Sequence, residues 1–299
     1  MHQHSKHVSE SKNLFISVWL NLTITLVQIV GGILSNSLAL LSDALHNLGD
    51  GVALFIAWIA NKVSRKPSSL NKTFGYKRIE ILAALFNGLA LVAISLFLFS
   101  EAWQRFKNPE TIDSTLMLIV ATIGLIANIV SVLLLKKHRK DNINIKAAYL
   151  HLLGDTLSSV AVIIGGLLMY FYELYWIDPL VTVIIGIYII KESISIIMET
   201  VDILMQSKPK DIDIEDIQHK LKDIEGIKSL HHVHIWRLSD KEIHFESHVD
   251  LDRDLKTSDT ALLREKAEAI LYEQFQIDHV TMQMEFNSTH RQELVAGSK

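Results

Sequence analysis

The chain has no cysteine, which excludes disulfides and thiolate metal sites and leaves the redox compartment open. Nor is there an excess of basic charge: the formal net charge is -4 and the pI about 6.4, so nothing global points to nucleic acid. The first long apolar stretch lacks the basic, short apolar and small-residue layout of a secretory leader, so no cleavable signal peptide is expected. No His-Glu-x-x-His occurs, the helical pattern of a zinc hydrolase. Apolar residues, by contrast, are abundant. The 299 residues are 49% hydrophobic with a mean hydropathy of +0.26, too apolar for an ordinary soluble domain, yet 21% charge is high for a pure membrane bundle. That mixture predicts a membrane part joined to a soluble part.

Six stretches have the greasiness of spans. Leu14 to Leu34 contains no charged residue or histidine and is long enough to cross ~30 Å of hydrocarbon at ~1.5 Å per residue. After a tight turn marked by Gly31, Gly32 and Ser35-Asn36-Ser37 comes Leu38 to Ala60, interrupted by Asp43, His46 and Asp50. Ile81 to Phe99 and Leu116 to Leu135 are uncharged, Ala147 to Met169 carries His151 and Asp155, and a sixth begins at Leu180 directly after Pro179. Lys191 and Glu192 interrupt this last one at an interface where long side chains snorkel, with Ser193 to Met205 continuing beyond it. The fold class is an α-helical membrane bundle of six transmembrane helices with a C-terminal cytosolic α+β domain. It divides into a tail at 1–13, the bundle at 14–207, the αββαβ domain at 208–290 and a second tail at 291–299. The N-terminal His2, His4 and His7 could gather metal or simply be solvated.

Loop charge sets the orientation. Lys62, Arg65, Lys66, Lys72, Lys77 and Arg78 lie between spans two and three, and Lys136, Lys137, Arg139, Lys140 and Lys146 between four and five. The opposite loops hold only Arg105 and Lys107, so the basic loops and both termini are expected in the cytosol of a multi-pass membrane protein, in the cell membrane if it is bacterial. Trp103, Tyr170, Tyr172, Tyr175 and Trp176 gather near the outer ends, where amphipathic rings meet headgroups.

The soluble part starts after Lys208-Pro209. Ile214, Ile217, Leu221 and Ile224 repeat at helical spacing up to Gly226; Ile227 to Leu238 and Ile243 to Leu251 alternate as strands about an Asp240-Lys241 turn. A helix with Leu263, Ala267, Ile270 and Leu271 on one face, capped near Thr257 or Ser258, leads to a last strand over Asp278 to Phe286. With Val233, Ile235, Phe245, Val249, Val280, Met282 and Met284 turned to the helices, the open face would carry His232, His234, Trp236, His244, Glu246, His248, His279, Thr281, Gln283 and Glu285. Any one of these imidazoles suits a hydrated surface. Together they point to a metal site or a dimer interface.

The chemistry centres on a duplicated pattern. His46-Asn47-Leu48-Gly49-Asp50 and His151-Leu152-Leu153-Gly154-Asp155 are both His-x-x-Gly-Asp, and residues four apart share one helix face. An intramembrane charge costs about 2.5 to 3.5 kcal/mol on the insertion scale, so Asp50 and Asp155 need partners. Spans two and five run in opposite directions, which sets His46 level with Asp155 and Asp50 level with His151. Two nitrogens and two carboxylates suit a four-coordinate, borderline-soft ion, zinc above all and cobalt or cadmium after it, whereas magnesium and calcium prefer all-oxygen shells. Interhelical hydrogen bonding without metal explains one such motif as well as metal binding does, but explains two opposed copies less well. Asp43 is either a gate or outer carboxylate, or a stabiliser of the helix start.

The stretches Ser37 to Asp50, Phe74-Gly75-Tyr76-Lys77-Arg78-Ile79-Glu80 continuing to Gly88, His151 to Asp155 and His231-His232-Val233-His234-Ile235-Trp236 resemble the cation diffusion facilitator family in its zinc-type branch, over nearly the whole chain. The resemblance implies a homodimeric metal/proton antiporter, not an enzyme, whose transport site is His46, Asp50, His151 and Asp155 and whose cytosolic domain is metallochaperone-like. Its partners would be divalent metal ions, protons and membrane lipid, with no nucleic acid. Zn2+ would be the transported substrate and also a structural or regulatory ligand of the cytosolic domain. There the resemblance matches His231, His248 and Glu285 to ligand positions and brings the fourth to Asp278, with His279 beside it. Strand alternation sets His231 on the opposite face from His248. The loop between spans two and three has no histidine, and that between four and five lacks a His-rich insertion, so additional loop sites are not expected.

Other readings remain at this level. An intramembrane metalloenzyme needs an open coordination position and a general base, which a four-ligand cage does not offer. A membrane-anchored zinc sensor would conduct no flux and tolerate changes at His46 and Asp155, and an exporter specific for another divalent metal would keep the fold and alter selectivity.

Overall fold

The computed structural model describes residues 2–136, 143–239, 242–287 and 293–295, with side chains from residue 19 onward except 54, 57 and 143–148. His2, His4, His7 and Lys146 as side chains, Lys137, Arg139, Lys140, the Asp240-Lys241 turn and most of the 291–299 tail fall outside the described part. The chain forms two compact units, one of Met1–Trp58 with Ala84–Ile197 and one of Ile59–Ala83 with Met198–Lys299.

Six long helices run through the first part of the chain: α1 (His2–Ser35), α2 (Leu38–Ser64), α3 (Ile79–Lys107), α4 (Ser114–Lys136), α5 (Ile143–Tyr172) and α6 (Ile177–Leu204). Among the described residues α3, α4, α6 and Tyr149–Tyr172 of α5 are long and apolar enough to cross a membrane, and Trp19–Ser35 of α1 is a shorter apolar segment. In α2 the apolar run is broken by Asp43, His46 and Asp50. The sixth helix starts three residues earlier than its proline suggested. Pro179 sits in the first turn, where its missing N–H has no helical partner to lose, and the helix continues unbroken through Lys191 and Glu192.

Inside the first unit Ala39, Leu40, Leu91, Met117, Val120, Val162 and Ile185 pack into one cluster. Its outer surface is equally apolar, with Leu26, Ile33, Phe86, Phe97, Ile126, Leu157 and Ile184 exposed, a surface suited to lipid and not to water. The α1–α2 turn is set by polar contacts. Asn36 takes the left-handed conformation (φ 57°), and Arg105 Nη2 donates to its Oδ1 at 2.8 Å. A Cβ on Gly32 would meet the Leu41 backbone nitrogen at 3.1 Å, so a larger residue would push α1 and α2 apart by a few tenths of an ångström. The orphan N–H groups at the start of α2 go to α6: Asp178 accepts from Leu38 N (2.8 Å), Ala39 N (3.2 Å) and Ser37 Oγ (2.6 Å). One carboxylate thus fixes where α2, and the His-x-x-Gly-Asp turn on it, begins.

The second unit holds α7 (Ile214–Lys222), β1 (Ile227–Arg237), β2 (Ile243–Leu251), α8 (Thr257–Phe275) and β3 (His279–Glu285), the expected αββαβ order. The sheet order is β1-β2-β3, with β1 antiparallel and β3 parallel to the central β2. A parallel pair needs a crossover, and α8 supplies it. Ile217 and Leu221 of α7 and Leu263, Ala267 and Leu271 of α8 bury one sheet face against Val233, Ile235, Phe245 and Val249, with Val280, Met282 and Met284 packed at the margin. Two boundaries differ from expectation. Helix α7 stops at Lys222, and Gly226 (φ 106°) serves the entry to β1, where a Cβ would meet Leu263 at 3.2 Å. The N-cap of α8 is Lys256, which makes no side-chain cap, so Thr257 and Ser258 already lie inside the helix.

Candidate metal centres

The twin motifs converge. Asp50 Oδ2 lies 3.3 Å from His151 Nε2 and 3.6 Å from His46 Nε2, and His151 Nε2 lies 3.7 Å from Asp155 Oδ2. Donor atoms of His46, Asp50 and Asp155 all lie within 4.8 Å of one another. His46 is level with Asp155 and Asp50 with His151, the pairing that antiparallel helices require. Asp155 and His46 are buried while His151 is 44% exposed along its side chain, so the cluster has a closed side and an open one. Asp50 Oδ2, Asp155 Oδ2 and His46 Nδ1 are buried without a hydrogen-bond partner among the described residues. Acceptor-only carboxylates facing imidazole nitrogens form a donor set for a cation, and buried polar atoms left unpaired are costly otherwise.

Both motif glycines stand against side chains of neighbouring helices. A Cβ on Gly49 would lie 2.5 Å from Leu91 Cδ2 of α3, and one on Gly154 3.0 Å from the Tyr188 hydroxyl of α6. The Tyr188 ring also meets His46 edge-on at 6.3 Å. At the turns that carry the donors, the glycines thus leave room for the Leu91 side chain of α3 and the Tyr188 hydroxyl of α6.

On the sheet, a second group assembles from His231, His248 and Glu285, whose donor atoms lie within 4.8 Å of one another. His248 Nδ1 is 2.7 Å from Glu285 Oε1, His231 Nε2 is 3.5 Å from Glu285 Oε2, and His231 Nδ1 is 3.4 Å from Asp250 Oδ2. Simple alternation separates His231 from His248; in the structure they are cross-strand partners with rings 5.2 Å apart. The cause is a β-bulge. Between the His231–His248 and His234–Glu246 pairs, β1 has two residues where β2 has one, and the extra residue, His232, takes φ 53°. That insertion returns Val233 and Ile235 to the core while leaving His231 on the open face. His279 is not brought to this group. It pairs with His244 at the other end of the sheet, rings 4.8 Å apart, six residues along β3 from Glu285, or roughly 20 Å of strand. Asp278 is committed elsewhere, accepting from Ile243 N at 2.9 Å. His231 is fully buried, and neither of its ring nitrogens has a hydrogen-bond partner among the described residues. His231, His248 and Glu285 thus bring two imidazoles and a carboxylate to one point, donors of the type that zinc takes.

The family model for the cation efflux transmembrane domain matches residues 14–205, and that for the cytoplasmic domain of cation efflux proteins matches residues 209–287. The chain belongs to the cation efflux family. This cation efflux protein is 38% identical over 286 residues to the "cadmium, cobalt and zinc/H(+)-K(+) antiporter" of Bacillus subtilis, covering 95% of this chain and 91% of the relative. To the "metal cation efflux system protein CzcD" of Cupriavidus metallidurans it is 35% identical over 284 residues (95% and 89% covered). To the zinc transporter ZitB of Escherichia coli it is 34% identical over 295 residues (97% and 93%).

Several residues of this cation efflux protein that bear on its sites escaped sequence reading. Asp43 accepts from Gln28 Nε2 (2.9 Å), Ser158 Oγ (2.6 Å) and Ser159 Oγ (3.5 Å), and Asn128 Nδ2 donates to Ser159 at 3.3 Å. Asp43 is thus locked to α1 and α5, three residues before His46, and fixes the spacing of the helices that carry the donors. Gln28, Asn128, Ser158 and Ser159 are uncharged residues in apolar runs, a weak signal, but Asp250 was legible: the alternation His244, Glu246, His248 continues to it.

Proposed function

We propose that this transporter, which is not an enzyme, carries a zinc-type divalent cation out of the cytosol in exchange for protons. In this reading six helices cross the membrane, both termini are cytosolic, the membrane is the cell membrane and two copies pair through their cytoplasmic domains. His46, Asp50, His151 and Asp155 hold the transported ion. One observation carries this assignment: two antiparallel helices bring their His-x-x-Gly-Asp turns face to face, with His151 3.3 Å from Asp50 and Asp155 within reach of His46. The names of the relatives, which include cadmium, cobalt and zinc, support the substrate class and the proton coupling. Imidazole binds metal only when neutral, so loading the site expels protons and protonation releases the ion, which alternating access converts into exchange. His231, His248 and Glu285 would hold a further zinc as a structural or regulatory ligand.

Proteoliposomes with an imposed pH gradient test the reading. Asp50→Ala and His151→Ala are expected to abolish zinc flux while the purified protein keeps its helical content. PH-driven zinc uptake retained in either variant would sink the assignment, and faster manganese than zinc uptake by the wild type would move it to an exporter of another metal.

A further inference from the structure

The connection from Arg65 to Arg78 carries Arg65, Lys66, Lys72, Lys77 and Arg78 and no acidic residue. It is folded, not loose. Ser69 and Lys72 exchange both backbone hydrogen bonds at 3.0 Å, which makes Leu70 and Asn71 the tip of a two-residue turn, and Gly75 (φ 68°) bends the chain back, its N–H reaching Lys72 O at 2.9 Å. Leu70 at that tip is 100% exposed and Phe74 54%. Below the turn lies a cavity of about 360 Å³ bordered on its polar side by Lys72, Lys77 and Arg78 and on its apolar side by Phe74, Trp236 and Leu82. Among the described residues no acid borders it. Glu242 is tied to Lys77, and Glu80 accepts from Ser64 and Asn61. Arg78 Nε is buried and donates to nothing among the described residues, and the Lys72 ammonium rests 4.2 Å over the Tyr76 ring. Leu82 belongs to the first turns of α3, one of the apolar helices long enough to cross a membrane.

We propose that this cavity binds the phosphate of an anionic phospholipid, with Lys72 and Arg78 receiving the headgroup and the fully exposed Leu70 seated among the lipid chains. Lys72 and Arg78, the two cations at the cavity that no acid among the described residues pairs, one of them with a buried unused donor, call for a doubly accepting anion such as a phosphodiester. A free phosphate in the cytosol would share that chemistry. It would leave unexplained a fully exposed leucine at the tip of a basic turn, which is the pairing of apolar anchor and cationic flank that a charged membrane surface selects. The proposal rests on the reading that α3 crosses the bilayer with its first residues on the cytosolic side.

The test uses the full-length protein, delipidated in a neutral detergent and titrated with phosphatidylglycerol, with binding followed by native mass spectrometry. Each surface cation contributes about a fivefold gain in affinity for anionic lipid, so Lys72→Gln/Arg78→Gln is expected to bind about 25-fold more weakly than wild type. Lys72→Gln alone, at an exposed position, guards against a folding defect and is expected to lose about fivefold. Unchanged affinity in both variants overturns the proposal. So does inorganic phosphate that displaces the lipid from wild type at millimolar concentration, which would reassign the cavity to a soluble anion. Asp50→Ala separates this inference from the transport reading, since it is expected to lose zinc flux and keep wild-type phosphatidylglycerol affinity.

Discussion

The two donor clusters are built from similar residues by opposite means. In the helical cluster each His–Asp pair is one helical turn, so backbone periodicity alone aligns the donors, and two antiparallel copies make four. In the sheet cluster the donors come from three strands and depend on cross-strand register, including one inserted residue at His232. The first arrangement is local and robust. The second holds only if β1, β2 and β3 are in register together. Environment differs as well: the helical cluster opens along the half-exposed His151, whereas the sheet cluster is anchored on the fully buried His231.

Removing a donor from each is the strongest way to break this comparison. Asp155→Asn preserves shape and leaves an amide where acceptor-only oxygen faces His46 and His151; zinc flux in proteoliposomes is expected to fall by about 100-fold or more. Glu285→Gln, the matching change on the sheet, is expected to lower flux by less than about fivefold while weakening zinc binding to the cytoplasmic part by about 10- to 100-fold in calorimetry on the full-length protein. Equal flux losses in the two variants would mean that the clusters do not have separate duties.

A more selective test addresses register. Deleting His232 removes the inserted residue, so Val233 falls opposite Ser247 and His231 stays opposite His248 in plain alternation, and zinc binding at the sheet is expected to survive the deletion. His232→Gly keeps the left-handed conformation at no steric cost and is expected to bind zinc as wild type does, while His232→Val forces a β-branched residue to positive φ at a cost of about 1–3 kcal/mol in thermal or chemical unfolding. Zinc titrations of the three variants decide whether the His231–His248 register, and not the ring of His232 stacked on His248, makes the site; loss of binding in both the deletion and His232→Gly would assign it to the ring.

The same contrast explains how much could be read from sequence. The apolar runs, the αββαβ order, the core face of the sheet and the mutual level of His46, Asp50, His151 and Asp155 follow from periods of 3.6 and 2, which any window of sequence reveals. His231 could not be placed that way, because an inserted residue leaves no mark on composition and reverses the parity of everything before it. The resemblance brings the fourth ligand position to Asp278 with His279 beside it, but the parallel β2–β3 register fixes His279 beside His244, and Asp278 accepts from Ile243 N. Asp178 carries no sequence mark beyond its place before a proline at a helix start; that it caps the first N–H groups of α2 is a long-range fact.

The motif glycines offer a finer probe of the helical cluster. In Gly154→Ala the new methyl would stand 3.0 Å from the Tyr188 hydroxyl, so α6 or the ring must shift, and overpacking of this kind costs about 1–3 kcal/mol. Flux is expected to fall severalfold with all four donors intact. Tyr188→Phe removes the opposing oxygen, and the double variant is expected to recover most of the loss. Without recovery, the glycine would be serving the helix backbone and not the approach of α6.

The smallest expected effect lies at the far end of the sheet from His231, His248 and Glu285. Burial pushes the Glu242 carboxyl up, but the Lys77 ammonium beside it and the contact with His244 (3.3 Å) outweigh burial and hold it below its ordinary 4.5. A depressed carboxylate stabilises the fold fully above its unfolded pKa, and the contribution fades as pH falls through the lower, folded value. Glu242→Gln is therefore expected to lower the unfolding temperature slightly at pH 7, by what ~1 kcal/mol or less represents for a partly exposed pair, and to match wild type once Glu242 is protonated. His244 does not reverse that sign, because burial first of all lowers its pKa below 6.5 and leaves it neutral at pH 7. A difference that grows on acidification would mean that Lys77 is held by something other than Glu242.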